Sequence, residues 1–169
     1  MGDRAEQLAA TIDGQSQEIE EFLSALTGAD LRLPCADPSG STVSAVLDHL
    51  VEGYELVLGW ISQVAGGHHH EHGHHHEHGH DHEHGHDQPG STPAVRIAEL
   101  RRGGAAWAEL VRGLTDGQLD GTPPATPAIT DGTRRLAEII DMMIDHQAQH
   151  VDYIKQAVTG NSALAEQPT

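Results

Sequence analysis

Four stretches of the chain carry apolar residues at alternating steps of three and four, which places them on one face of an α-helix. These stretches cover residues 3–27, 42–65, 93–115 and 133–158. Ser41 or Thr42 can cap the second helix, and Pro93 suits the first turn of the third. No segment shows a convincing two-residue alternation, so β-structure is not expected. The pattern therefore predicts an all-α four-helix bundle.

The two connections between the predicted helices, residues 28–41 and 116–132, are long and rich in turn formers. Fourteen extended residues reach about 45 Å, enough to travel the length of a bundle. Helices one and two therefore need not be antiparallel neighbours, and we expect long crossover connections. We predict one domain over residues 1–160 and a flexible tail over 161–169.

Residues 66–92 interrupt the helical pattern with a histidine-rich loop, which we expect to form an insertion in the domain. Residues 68–87 hold 12 of the 15 histidines and five acidic residues, in a repeat of six, with no hydrophobic residue. Nothing apolar compensates the entropy of ordering this segment, so we predict a disordered loop. Its imidazoles suit zinc, nickel, copper or iron, which predicts secondary metal binding. The alternative is a low-complexity expansion without a role. The predicted loop ligands are His68, His69, His70, His72, His74, His75, His76, His78, His80, His82, His84 and His86.

Charge and composition narrow the classes of partner. The formal net charge of −17 makes nucleic acid and an anionic membrane poor partners and metal cations natural ones. The sequence has no run of 18 apolar residues, so no transmembrane helix is expected. The polar start lacks the features of a secretion signal, and we therefore expect a cytoplasmic protein. Cys35 is the single cysteine, which excludes thiolate zinc clusters. Any zinc-like site must use imidazole and carboxylate ligands.

Three histidines lie outside the loop, and their positions favour a metal site. His146 and His150 are four residues apart on the last helix, so both rings lie on one face. They fall in a stripe with apolar residues, which predicts that both face the core, where imidazole nitrogens need partners. His49, on the second helix, supplies a third ligand. Three imidazoles and one open position suit a catalytic divalent metal, whereas the alternative is three ordinary interior or boundary histidines.

Some enzyme classes lack their motifs. Gln147 stands where zinc proteases with an HExxH helix carry their glutamate base, so a peptidase would lack its proton acceptor. No phosphate-binding glycine-lysine-serine pattern supports nucleotide hydrolysis. Asp48, Glu52 and Asp145 neighbour the proposed ligands in sequence and could orient a ring, although such acids are mostly solvated helix surface.

Two segments resemble the DinB-like (YfiT-like) metalloenzymes. The segment Leu33–Leu50 is similar to the entry to their second helix, and Asp145–Ile154 is similar to their last-helix signature. The resemblance covers residues 3–158 without the loop and implies a DinB-like bundle with long crossovers. It implies that His49, His146 and His150 bind one divalent metal, zinc or nickel.

The relatives include bacillithiol- and mycothiol-dependent enzymes, so the resemblance also implies a low-molecular-weight thiol as a partner. Many relatives continue the last signature with Arg-Gly-Gln, where this chain has Val151-Asp152-Tyr153. The basic residue that would meet an anionic thiol is therefore missing.

Two functions stay open from the sequence. The first is a metal-dependent transferase or hydrolase whose loop loads metal. The second is a nickel or zinc buffer or chaperone without catalysis. A pure interaction module with a vestigial site is a third reading, and a homodimer is expected only by analogy with other acidic bundles.

Overall fold

In the described part of the chain, four long α-helices form a bundle, with a short α-helix between the last two and a 3₁₀ helix at Asp30–Arg32. The computed structural model describes residues 2–36, 40–66 and 92–165, and only the backbone of residues 161–165. No strand occurs in these ranges, which confirms the predicted all-α class. The predicted loop ligands all lie outside the described residues. The helices are α1 (Asp3–Leu23), α2 (Val43–Gly66), α3 (Pro93–Arg112), α4 (Asp116–Asp120) and α5 (Leu136–Ala165).

The ends of two helices differ from the prediction, and one short helix was not predicted. Helix α1 stops at Leu23 instead of residue 27, and α5 starts at Leu136 instead of residue 133. Helix α4 was not predicted and lies inside the connection 116–132. It begins at a capping box, in which the side chains of Thr115 and Gln118 each accept a hydrogen bond from the other's backbone N–H.

The end of α5 also differs. Its backbone stays helical to Ala165, past the predicted helix end at residue 158 and the predicted domain boundary at residue 160. Residues 166–169 lie outside the described residues, so a flexible tail there stays a prediction.

Ion pairs show that α1 and α3 run antiparallel. Arg101 on α3 pairs with Glu20 near the end of α1, and Arg112, at the end of α3, pairs with Asp13 in the middle of α1. This pair of helices forms the most extensive helix contact in the described part of the chain. Helix α3, and not α2, is therefore the close neighbour of α1, as the long 28–41 connection allows.

Helices α2 and α3 run parallel. Arg96 in the first turns of α3 pairs with Asp48 near the start of α2, and further along both helices Tyr54 packs against Gly103. Parallel neighbours are joined only by a connection that returns along their length. Helix α2 has 24 residues and is about 36 Å long. Gly66 therefore lies at the opposite end of this helix pair from Thr92.

Helix α5 completes the bundle between α1 and α2. It runs parallel to α1, since the Gln15 side chain donates to the Ile144 carbonyl and Lys155 lies over the Phe22 ring. It runs antiparallel to α2, because α2 is parallel to α3 and α3 is antiparallel to α1. His49, near the start of α2, lies beside His150, in the middle of α5. The site therefore forms where one end of α2 meets the middle of α5.

Two adjacent glycines allow α3 to approach α2 and α1 closely. The Tyr54 ring lies directly on Gly103, and a Cβ atom on Gly104 would lie 2.4 Å from the Ser16 hydroxyl oxygen. Tyr54 is 5% exposed, and its burial raises the pKa of its hydroxyl, which lies near Ser16 and Gln147. This contact sets the position of α2 and therefore of its histidine.

Gly103→Ala should destabilise the fold. The new Cβ would lie 2.8 Å from Tyr54 Cγ and Cδ2, and such overpacking costs about 1–3 kcal/mol. Gly14→Ala on α1 is the control, because its Cβ meets open space and alanine favours a helix by up to about 1 kcal/mol. Urea unfolding of both variants measures the difference. Equal changes of the same sign in the free energy of unfolding of the two variants would show that Tyr54 does not press on Gly103.

Candidate metal centre

The structure brings the three histidines outside the loop into one cluster. His49 lies in the second turn of α2, and His146 and His150 lie one turn apart on α5. The ring centroids are 4.4 Å apart for His146 and His150, 4.7 Å for His49 and His150, and 6.0 Å for His49 and His146. One nitrogen of each ring lies within 4.8 Å of the other two. Two helices therefore supply three potential ligand atoms to one small volume.

The prediction that His146 and His150 face the core is wrong for His146 and holds only in part for His150. His49 and His146 are exposed and His150 is half-buried. The buried stripe of α5 instead runs one position away and contains Gln147. Both stripes have alternating steps of three and four, but the buried one carries aliphatic side chains where the other carries two imidazoles, and aliphatic burial is the more favourable. Its members here are Ile140, Ile144, Gln147, Val151 and Ile154. The imidazoles consequently lie at the edge of the core and reach solvent.

The nitrogen spacing of His146 and His150 fits a divalent metal. Tetrahedral coordination with zinc–nitrogen bonds of about 2.0–2.1 Å places two ligand nitrogens about 3.3 Å apart. The Nε2 atoms of His146 and His150 are 3.1 Å apart, so these two rings already have that spacing. Without a cation, one of these rings must donate a proton to the other. Three imidazole ligands leave the fourth tetrahedral position for another molecule.

The surroundings of His146 favour its neutral imidazole. Burial lowers the pKa of His146 below its usual value of 6.5, and a positive charge on His49 lowers it further. Metal binding requires the neutral ring, so this shift favours the form that coordinates a metal.

Among the acids next to the histidines, Asp48 has a definite partner. Its carboxylate accepts hydrogen bonds from Arg96 Nε at 2.6 Å and from Arg96 Nη2 at 3.0 Å. Arg96 is only 7% exposed and lies in the first turns of α3. Asp48 therefore fixes the start of α3 against α2, whereas Glu52 and Asp145 are exposed.

A cavity of about 350 Å³ borders the cluster. The side chains around it come from α2, α3, α5 and the segment before α5, and most are apolar. Its lining residues are His49, Leu50, Gly53, Tyr54, Leu56, Val57, Trp107, Ala128, Ile129, Met142, Met143, His146, Gln147 and His150. The fourth position of a metal held by the three imidazoles would therefore lie next to an apolar cavity.

The connection before α5 forms part of this cavity, which the sequence did not predict. The N–H of Ile129 donates to the Thr126 carbonyl and closes a tight turn with Pro127 and Ala128 at its centre. Ala128 has φ 66°, which matches the third residue of a type II turn after a proline. Pro127 was the available signal for the turn, but only the fold shows that the turn lies over the histidines.

Cys35 has a structural role in the described structure. It is buried in the connection before α2, its N–H donates to the Ser41 carbonyl, and it is not part of the histidine cluster or the cavity lining. No helix in the described ranges combines the length and apolar character needed to cross a bilayer.

The fold and the cluster together define a helical-bundle protein with a candidate three-histidine metal centre. The sequence model of the DinB superfamily matches residues 11–154, so the chain belongs to the DinB superfamily. This confirms the resemblance seen in the two histidine-bearing segments, and members of the superfamily often bind divalent metals. Comparison with curated proteins and with solved structures found no match.

In the metal-free protein, His146 should titrate below pH 6.5. His49→Ala should raise this pKa only in part, because it removes the smaller of the two causes and leaves burial. NMR of the ring nitrogens measures both values, with the His146 signals assigned by their loss in His146→Gln. A His146 pKa at or above 6.5 that does not change in the His49→Ala variant would contradict the geometry of the cluster.

Proposed function

We propose that His49, His146 and His150 bind one divalent transition metal, zinc or nickel, and that the protein is a metal-dependent transferase or hydrolase of the DinB type. The observation that carries this proposal is the approach of three imidazole nitrogens, from two helices, to within 4.8 Å of one another. The cluster borders a cavity of small-molecule size, which is the usual setting of a catalytic site.

The roles of the chain's own residues follow from this arrangement. The three imidazoles would hold the ion. The Arg96–Asp48 pair holds the start of α2, which carries His49, against α3. The ion would supply Lewis-acid activation of the group at its fourth position, such as the sulfur of a low-molecular-weight thiol. The apolar side chains of the cavity, which include Val57 and Ile129, would reduce the access of water to the reacting group.

The histidine-rich loop would act as a secondary metal-loading site. Its twelve imidazoles bind metal only when deprotonated, so its affinity should fall below about pH 6.5. The described chain resumes at Thr92, one turn before Arg96, which bonds the neighbour of His49. The carboxyl end of the loop is thus anchored on the side of the bundle that carries the cluster. Tethering there raises the local metal concentration.

The second candidate function is a nickel or zinc buffer or chaperone without catalysis. The observation that favours it is the donor count, with 12 histidines in the loop against three in the bundle. In this case the bundle site is structural or senses metal, and the loop is the working part.

A metal titration tests the bundle site. The titration requires the whole chain with its twelve loop histidines replaced by asparagine, so that metal bound by the loop does not contribute to the measured stoichiometry. This chain should bind one equivalent of cobalt with the visible absorption of a tetrahedral site. His49→Ala in this background should lose more than about 100-fold in affinity, because even indirect partners of metal ligands matter by 10–100-fold. Gln149→Ala, exposed on α5 between the two other histidines, is the control and should bind normally.

A loop-substituted chain without a stoichiometric ion, or an unaffected His49→Ala variant, would contradict the bundle site. Turnover and metal tolerance then separate the two functions. An enzyme keeps its activity with thiol substrates after the loop histidines are replaced. A buffer shows no turnover, and cells that carry the loop-substituted chain lose nickel or zinc tolerance.

Three further expectations stay part of the proposal. They are a cytoplasmic location, the lack of a nucleic-acid partner, which follows from the strongly acidic composition, and assembly as a homodimer. Size-exclusion chromatography with light scattering tests the last of these.

A further inference from the structure

The cavity beside the histidines has an unusual lining for a site in so acidic a protein. Within the described part of the chain, none of its fourteen lining residues is Asp, Glu, Lys or Arg. Apart from the imidazoles, the polar side chains are those of Tyr54, Trp107 and Gln147. The indole nitrogen of Trp107 and the amide oxygen of Gln147 are fully buried and do not reach the cavity surface. The cavity wall therefore presents mainly carbon and sulfur.

Charged side chains lie outside this wall. Arg134 Nη1 contacts the sulfur of Met142 at 3.1 Å, but Arg134 lines the neighbouring surface depression and not the cavity. On the other side, Asp145 and Asp152 line a depression shared with His146. A carboxylate or sulfonate in the part of the cavity away from the imidazoles would thus have no cationic side chain in the wall. An unpaired charge in such a place is costly.

The mouth of the cavity is apolar as well. Leu56 on α2 is 55% exposed and Met142 on α5 is 37% exposed, and both line the cavity. In the described residues, the exposed large hydrophobic side chains are these two and Val95. A bound apolar molecule would cover both side chains and stabilise the complex by removing their surface from water.

We infer that this cavity binds an uncharged, largely apolar small molecule, with its reacting group at the three imidazoles and its apolar body against Val57, Ile129 and Met143. Its volume of about 350 Å³ lies at the lower end of small-molecule sites, about 300–1,000 Å³. The inference rests on the proposed metal function, because the reacting group is placed where the metal is held. It excludes an anionic group on the part of the molecule that lies away from the metal, where no side chain in the wall would pair with it.

Two fluorescent probes with one skeleton test the charge preference on the full chain. N-phenyl-1-naphthylamine is neutral, and 1-anilinonaphthalene-8-sulfonate is the same molecule with one added anionic group. The neutral probe should bind with one-to-one stoichiometry and at least about tenfold more tightly than the sulfonate, since tenfold corresponds to only about 1.4 kcal/mol of the cost of an unpaired charge. Equal affinities, or tighter binding of the sulfonate, would overturn the inference.

A matched pair of glycine variants locates the probe. Gly53 and Gly59 both lie on α2, and a Cβ atom on either would meet open space. Only Gly53 lines the cavity, so Gly53→Leu should fill it and weaken the neutral probe at least about tenfold, whereas Gly59→Leu should bind like the parent chain. Unchanged binding by Gly53→Leu would overturn the inference. So would loss of probe binding as protein concentration rises, because a second copy would then cover the mouth.

Cobalt binding, measured on the same samples with the loop histidines replaced by asparagine, separates this inference from the metal proposal. Gly53→Leu should keep one cobalt ion while losing the neutral probe. A parent chain that selects the neutral probe but binds no cobalt would overturn the metal function and support the selectivity of the cavity. A parent chain that binds cobalt but not the neutral probe would overturn the inference alone.

Discussion

One nitrogen from each of three imidazoles lies within 4.8 Å of the other two at the contact between α2 and α5. Nitrogens held this close repel one another unless a proton or a cation lies between them, and the 3.1 Å separation in the His146–His150 pair leaves room for either. A single proton satisfies only one pair of nitrogens, whereas a divalent ion satisfies all three at once. The rest of the site depends on this arrangement, since the cavity is relevant to chemistry only if an ion is held beside it.

The bundle holds the histidines in place through contacts some distance from them. The helical repeat fixes the spacing of His146 and His150, but the position of His49 depends on how α2 packs. Two contacts set that packing, namely Tyr54 against Gly103 and Arg96 with Asp48. Both lie between α2 and α3, so α3 determines the geometry of a cluster to which it contributes no ligand.

The sequence alone predicted the fold class, the four long helices and the three histidines that the structure brings together. It did not predict the face of α5, because two stripes with the same spacing compete and only packing decides that Gln147 is buried. Helix α4 was missed although Thr115 and Gln118 form a recognisable capping box. The contribution of Ile129 to the cavity could not be predicted, since it depends on where a turn distant in sequence lies on the bundle.

Zinc K-edge X-ray absorption tests the central claim most directly, on the full-length chain with its loop histidines replaced by asparagine and loaded with one equivalent of zinc. We expect three imidazole ligands with zinc–nitrogen distances of about 2.0–2.1 Å, and fewer imidazoles in the same chain carrying His49→Ala. A spectrum that shows only oxygen ligands, or that does not change in the His49→Ala chain, would contradict it.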